Sequence, residues 1–193
     1  PRTAAYAEPQ IERVLASAAV SQQRTQQYAI VDAARRRWSR DAIPLGGPPS
    51  APALARRLND EARRALWTRR DVDEALDLQV QALGANPQDI EVASNLAALY
   101  LKVNPPKPRL ARQVVMHALA LGSAQFLAPR VQDWNTFAVA SALMGREEDA
   151  MRALFVTSAI TSNLGVTCRA VLTAYASYGD PLRIPVEAML SRI

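Results

Sequence analysis

Few residues in this chain are able to do covalent or metal chemistry. One cysteine, Cys168, and one histidine, His117, are too few for an intrachain disulfide or for the four ligands of a structural zinc site. Thiol and serine hydrolases usually need a histidine supported by a third group, and the sequence offers no obvious set of that kind. We therefore expect His117 to be a packed helix histidine and Cys168 a buried thiol, and we expect no metal or other cofactor.

Carboxylates are the remaining candidates for acid–base catalysis. They cluster in the segments 71–74 (DVDE) and 147–149 (EED), and each cluster opens a predicted helix. The helix dipole and the unpaired amides of a first turn favour acidic residues at such a place. Because this structural reason is sufficient, we expect a protein that is not an enzyme.

The composition is that of a folded chain with a mild positive charge. Of its 193 residues 49% are hydrophobic, so a sizeable core can be buried, and the net charge of +5 allows an anionic partner without requiring one. No uninterrupted apolar stretch reaches the roughly 20 residues of a membrane-spanning helix. The start at Pro1 instead of Met and the single cysteine lead us to expect a bacterial envelope or secretion component without its targeting segment, in preference to a cytoplasmic protein.

Hydrophobic periodicity predicts an all-α protein in three parts. Residues 1–43 are expected to form one long helix, because Gly and Pro are absent between Pro9 and Ala42. Residues 44–52 (PLGGPPSAP) are a linker, since so many Pro and Gly residues sustain neither a helix nor a central strand. Residues 53–193 form a helical repeat domain, with helices predicted at 53–69, 71–83, 89–102, 108–121, 131–144, 147–162 and 166–178.

Paired helices recur in this domain with a period of roughly 34 residues. The first unit has D-x-D-E-A at residues 71–75, followed by Ala82, Leu83 and Pro87. The second has Asn95-Leu96-Ala97 and Tyr100, then Ala111, Val115 and Ala118, and the third has Trp134, Phe137, Ala138, Gly145, Ala150 and Leu154. These small and large positions resemble the tetratricopeptide repeat (TPR) family, with about three degenerate repeats over residues 56 to 178.

The resemblance implies a right-handed stack of antiparallel helix pairs, a TPR-like α-solenoid, whose first helices line a concave groove. It implies a non-catalytic adaptor or scaffold that binds a peptide or helix of another protein, with the long N-terminal helix capping the stack or mediating self-association. For Asn95 two roles stay open: it bonds the backbone amide of a ligand, or it bonds a neighbouring helix end. Mapped onto this sequence, the groove residues are Arg57, Asp60, Arg64, Trp67, Ser94, Asn95, Ala98, Leu101, Gln132, Asn135, Val139 and Ala142.

An arginine cluster near the N-terminus supports an alternative function. Residues 1–70 carry a net charge of +7 and the remainder −2, and the basic residues Arg35, Arg36, Arg37 and Arg40 flank Trp38. Clustered arginines beside an aromatic ring suit phosphate contact and stacking, which would fit nucleic acid or an anionic surface. Such a cluster also offsets the negative end of a helix dipole, so a solvated helix face is the simpler explanation.

Overall fold

A computed structural model describes residues 45–125 and 130–161, together with seven positions nearer the N-terminus. The seven are Thr25, Gln26, Ala29, Val31, Ala33, Ala34 and Trp38. Within this part of the chain the regular structure is helical and no strand occurs, so the all-α prediction is confirmed there. The predicted helix at 166–178, Cys168 and most of the predicted helix at 1–43 lie outside the described residues.

The helices lie close to their predicted positions. They are α1 (Pro52–Arg64), a π-helix (Ala65–Arg69), α2 (Val72–Ala85), α3 (Ile90–Lys102), α4 (Pro108–Ala124), α5 (Val131–Leu143) and α6 (Glu147–Thr161). The main difference from the prediction is that the last turns of the first helix wind as a π-helix. None of these described helices combines the length and the apolar character needed to cross a bilayer.

The starts of these helices follow from local chemistry. The Oδ1 atom of Asp71 accepts a hydrogen bond from the Glu74 amide at 2.9 Å, and Asp89 caps α3 in the same way. Pro52 and Pro108 open α1 and α4, where a missing amide hydrogen costs nothing. The expected structural role of an acidic residue at a helix start is therefore confirmed for Asp71.

The helices make most of their contacts within three consecutive pairs, α1 with α2, α3 with α4 and α5 with α6. Neighbouring pairs touch through α2 and α3 and through α4 and α5, and the first helices also meet directly, α1 with α3 and α3 with α5. Alanines allow the close approach between helices. The small positions predicted for this purpose, Ala82, Ala111, Ala118, Ala138 and Ala150, are all buried.

Three aromatic rings form the centre of the core beside α5. The ring centroid of Trp134 lies 5.3 Å from that of Trp38 and 6.4 Å from that of Phe137, and Trp38 and Phe137 are 4.9 Å apart. Trp134 is fully buried in this core. Trp38 and Val31 belong to the same hydrophobic core, so these two N-terminal positions are packed with the helical pairs.

His117 connects the linker to the helices through two hydrogen bonds. Its Nε2 atom donates to the Pro87 carbonyl at 2.7 Å, and its Nδ1 atom accepts from the Leu45 amide at 3.4 Å. The amides of Ser50 and Ala51 also donate to the carbonyl of Ala85, at 3.1 and 3.0 Å. His117 is thus the packed helix histidine that was expected, and residues 45–51 are an ordered loop.

We expect Gly46→Ala to destabilise the protein by about 2 kcal/mol. Gly46 has a φ of +84°, and an added Cβ would lie 2.5 Å from the Cγ atom of Pro87. Gly47 is the matched control, because nothing lies within 4 Å of its Cβ position. Equilibrium urea unfolding of both variants measures the difference. Equal midpoints for the two would contradict the packing of this loop against Pro87.

Candidate functional site

An open cavity of about 370 Å³ lies where α1, the π-helix and α3 meet the start of α5. Its apolar lining comes from Ala62, Leu66, Ala98 and Leu99. Polar and aromatic side chains complete it, namely Arg63, Trp67, Gln79, Glu91, Asn95, Lys102, Arg130 and Gln132. A hollow that combines apolar walls with a few fixed polar groups is typical of a ligand-binding site.

Trp67 lies at the edge of this cavity with 59% of its surface exposed. The Nζ atom of Lys102 lies 5.1 Å from the indole centroid, within range of a cation–π interaction. The π-helix that carries Trp67 ends at Arg70, whose φ of 59° is left-handed, and the Asp71 amide bonds the Ala65 carbonyl. Trp67 is the third residue of this wider turn.

Arg69 holds the π-helix between two neighbouring helices. Its Nε and Nη2 atoms donate to Glu74 of α2 at 3.0 and 2.9 Å, and its Nη1 atom donates to Glu61 of α1 at 3.0 Å. These hydrogen bonds, first that of Glu74 and then that of Glu61, raise the pKa of the Arg69 guanidinium above its ordinary value. The pairs are exposed, so their main effect is to orient the segment and not to stabilise the fold.

A buried amide network forms the floor of the cavity. The Oδ1 atom of Asn59 accepts hydrogen bonds from Nε2 of Gln79 and from Nδ2 of Asn95, both at 2.9 Å. Gln79 also donates to the Val92 carbonyl at 3.0 Å, and Asn59 donates to Glu91 at 3.5 Å. Only 6% of Asn59 and 1% of Gln79 are exposed. Asn95 therefore bonds a neighbouring helix, but at the middle of α1 and not at the helix end that was one of its two predicted partners.

The rim of the cavity is basic. It carries Arg63, Lys102 and Arg130 against the single carboxylate of Glu91. Glu91 lies 3.6 Å from Arg63, and Arg130 lies 3.8 Å from the buried carboxylate of Asp133. In the described part of the chain no carboxylate lies within ion-pair distance of Lys102, so the rim has a surplus of positive charge.

Two of the predicted groove residues, Leu101 and Val139, do not line the cavity, so their predicted role as direct contacts is wrong. They are only 5% and 4% exposed and belong to the core. Leu101 lies six residues after Asn95, which at about 100° per residue places it on a different side of α3; Lys102, seven residues after, shares the side of Asn95. Val139 lies two turns after Gln132 on α5, where packing covers it. Ser94 is buried as well and bonds the Ile90 carbonyl.

Seven of the other predicted groove residues divide between two places. Trp67, Asn95, Ala98 and Gln132 line the cavity together. Residues 57, 60 and 64 instead line a second hollow of about 320 Å³ along α1, beside Leu58 and Glu61. Asn135 does not line the cavity; it is half-buried, and its Oδ1 atom is enclosed without a hydrogen-bond partner among the described residues.

The arginine cluster of the alternative function, Arg35, Arg36, Arg37 and Arg40, lies outside the described residues. Trp38 is described, and it is 2% exposed inside the aromatic core. The ring packs against Trp134 and Phe137, so it does not support the alternative in which it stacks on a base.

Four of the carboxylates considered for catalysis, Asp71, Glu74, Glu148 and Asp149, have structural partners. Asp149 pairs with Arg112 at 3.0 Å and with Arg146 at 3.2 Å, and Glu148 pairs with Arg152. Glu74 is bound by Arg69, as described above. No group of three or more side chains suited to holding a metal ion occurs among the residues that the structure describes.

Some residues of the cavity and of the hydrogen-bond network beneath it were not predicted from the sequence. Asn59 and Gln79 were not predicted, although a polar residue among apolar core positions, as Gln79 is between Leu76 and Ala82, is a usable signal. Lys102 was missed because the groove position was assigned to Leu101.

No protein-family model matches this chain, and a search of curated proteins finds no match either.

Proposed function

We propose that this protein is a non-catalytic adaptor that binds a segment of another protein in the cavity between α1, α3 and α5. The observation that carries the proposal is the exposed indole of Trp67 at the edge of a 370 Å³ cavity with a polar floor. Large exposed aromatic side chains beside a hollow are the usual anchors of protein–protein contacts. The apolar walls supply contact area, and the polar groups fix the orientation of the bound segment.

We also propose that the helix pairs form a TPR-like, right-handed solenoid. Its support is the direct contact of first helices, α1 with α3 and α3 with α5, alongside the contacts within each pair. Buried alanines at the predicted small positions are a second support. In such a stack the first helices share one face, and the cavity lies on that face. A place in a bacterial envelope or secretion assembly remains a prediction.

Partner capture with two alanine variants tests the proposed function. We expect Trp67→Ala to weaken partner binding by about 30-fold, the usual loss for an aromatic anchor. Val80→Ala is the control, since Val80 is an exposed apolar residue outside the cavity. The wild-type chain is used as bait in extracts of its native cells, and the affinity of each captured protein is then measured for both variants. A partner retained equally by wild type and Trp67→Ala would contradict binding at this cavity.

A further inference from the structure

We propose that Trp38 and the linker residues 45–51 form a strap that joins the first helix pair (α1, α2) to the third (α5, α6). The strap contacts all three pairs in turn, so that the pairs and the cavity between them are held in one shape. This inference goes beyond the proposed function and does not depend on it, because it concerns the chain without a partner. The contacts along the strap carry it.

One end of the strap is bound to the first pair. The amides of Ser50 and Ala51 donate to the carbonyl of Ala85, the last residue of α2, at 3.1 and 3.0 Å. Gly46 lies so close to Pro87 that an added Cβ would be 2.5 Å from its Cγ atom. Pro87 belongs to the loop between α2 and α3, where the first pair meets the second. This end is therefore fixed to the first pair and to its junction with the second.

The middle of the strap is bound to the second pair. The Leu45 amide donates to Nδ1 of His117 on α4 at 3.4 Å, and the Leu45 side chain packs against the hydrophobic core. Nε2 of the same buried ring donates to the Pro87 carbonyl at 2.7 Å. One histidine thus holds the linker and the loop between the first two pairs against α4.

The other end of the strap is bound to the third pair. Trp38 is 2% exposed, and its ring centroid lies 5.3 Å from that of Trp134 and 4.9 Å from that of Phe137, both on α5. Only six residues separate Trp38 from Leu45 in the sequence, so the chain can span at most about 25 Å between them. A displacement of α5 is therefore transmitted to the linker.

The strap adds a connection that the helices do not make by themselves. In a linear stack each pair contacts only its neighbours, and stability is a sum over neighbouring pairs. Among the described helices, α1 and α2 make no extensive contact with α5 or α6. Pro48 and Pro49 restrict the backbone of the linker, so it has little slack. The strap therefore couples the first pair to the third directly.

This coupling affects the cavity because all three pairs contribute to its lining. Trp67 follows α1 in the first pair, Lys102 ends α3 in the second, and Gln132 lies at the start of α5 in the third. The separation of the first and third pairs thus sets the width of the cavity. A strap that fixes this separation keeps the cavity in one shape before any ligand binds, which reduces the ordering that binding requires.

Distances across the cavity test the strap. Spin labels are attached to the full chain through Arg63→Cys and Gln132→Cys, two exposed positions that line the cavity, after Cys168→Ser has removed the natural cysteine. Pulsed electron paramagnetic resonance gives the distribution of distances between the labels. We expect one narrow distribution for this chain, and one about twice as wide after Gly46→Ala or Trp38→Ala, because a released pair samples more arrangements. Gly47→Ala is the matched control, since nothing lies within 4 Å of its Cβ position.

Amide hydrogen exchange distinguishes the strap from transmission through neighbouring helices. A disturbance at Gly46 that passes from helix to helix reaches α3 and α4 before α5 and α6, whereas the strap carries it to the third pair directly. We expect Gly46→Ala to raise exchange rates in α5 and α6 by about 10-fold, and those in α3 and α4 by less. Trp38→Ala should in turn raise the exchange rates of the Ser50 and Ala51 amides, because coupling between two sites is reciprocal.

The outcomes decide between a strap and a simple stack. A distance distribution that keeps its width in both Gly46→Ala and Trp38→Ala would overturn the strap, and so would a larger rise of exchange in α3 and α4 than in α5 and α6. Should Trp38→Ala fail to fold, the milder Gly46→Ala variant decides the result through both measurements. No partner is involved in either measurement, so the strap can fail while the proposed function stands, and partner capture can fail while the strap stands.

Discussion

Trp134→Ala is expected to lower the free energy of unfolding by about 4 kcal/mol. Trp134 is fully buried and packs against Trp38 and Phe137, with ring centroids 5.3 and 6.4 Å away. Its removal takes the largest enclosed side chain out of the core and leaves a cavity whose lining loses contacts on one side. Typical domains have a free energy of unfolding of only about 5–15 kcal/mol, so this loss is a large fraction of the total stability.

Equilibrium denaturation with guanidinium chloride, followed by far-ultraviolet circular dichroism, measures this effect. Trp67→Ala is the matched control, because it makes the same substitution at a residue that is 59% exposed. We expect its free energy of unfolding to change by less than about 1 kcal/mol. Similar losses for Trp134→Ala and Trp67→Ala would contradict the placement of Trp134 at the centre of the core.

The second large effect is expected for Gln79→Glu, with a loss of about 3 kcal/mol at pH 8. The substitution keeps the shape of the side chain but replaces Nε2 by oxygen. That oxygen then faces Oδ1 of Asn59 and the Val92 carbonyl, which are both acceptors at about 3 Å. An ionised carboxylate that is almost completely buried, with acceptors for neighbours, is costly.

This loss should depend on pH. A protonated glutamic acid has one O–H donor and can replace one of the two bonds made by Gln79, whereas the ionised form has none. We therefore expect Gln79→Glu to be less destabilised at pH 4 than at pH 8, relative to wild type at each pH. Gln81→Glu is the control, since Gln81 is exposed on the same helix. If both substitutions cost the same at both pH values, the buried network does not have the described polarity.

Most of the helical architecture could be predicted from the sequence because it depends on local signals. Periodic apolar residues, Asp71 as a cap and the prolines at 52 and 108 act within one or two turns, and the helices were found near their predicted bounds. The π-helix at 65–69 could not be predicted, since one extra residue in a turn leaves the composition unchanged. The burial of Trp38 depends on tertiary contacts with Trp134 and Phe137 of α5, which no local pattern specifies.

The cavity was predictable only in part. Trp67 and Asn95 followed from the positions that the repeat resemblance assigned to first helices. Lys102 was missed because the choice between positions 101 and 102 depends on the rotation of α3 about its axis. The network of Asn59, Gln79 and Asn95 joins three helices and has its direction set by a carbonyl of Val92. No short segment of sequence contains that information.

The π-helix has a consequence for how such a protein can diversify. A five-residue π-turn holds one residue more than regular α-helical winding needs, so the deletion of a single residue there can be absorbed before Arg70. Such a change before position 67 would rotate Trp67 about the helix axis, while the alanine contacts between the helix pairs are kept. A related chain would then be able to bind a different ligand after a change of one residue in length, with its other helices unchanged.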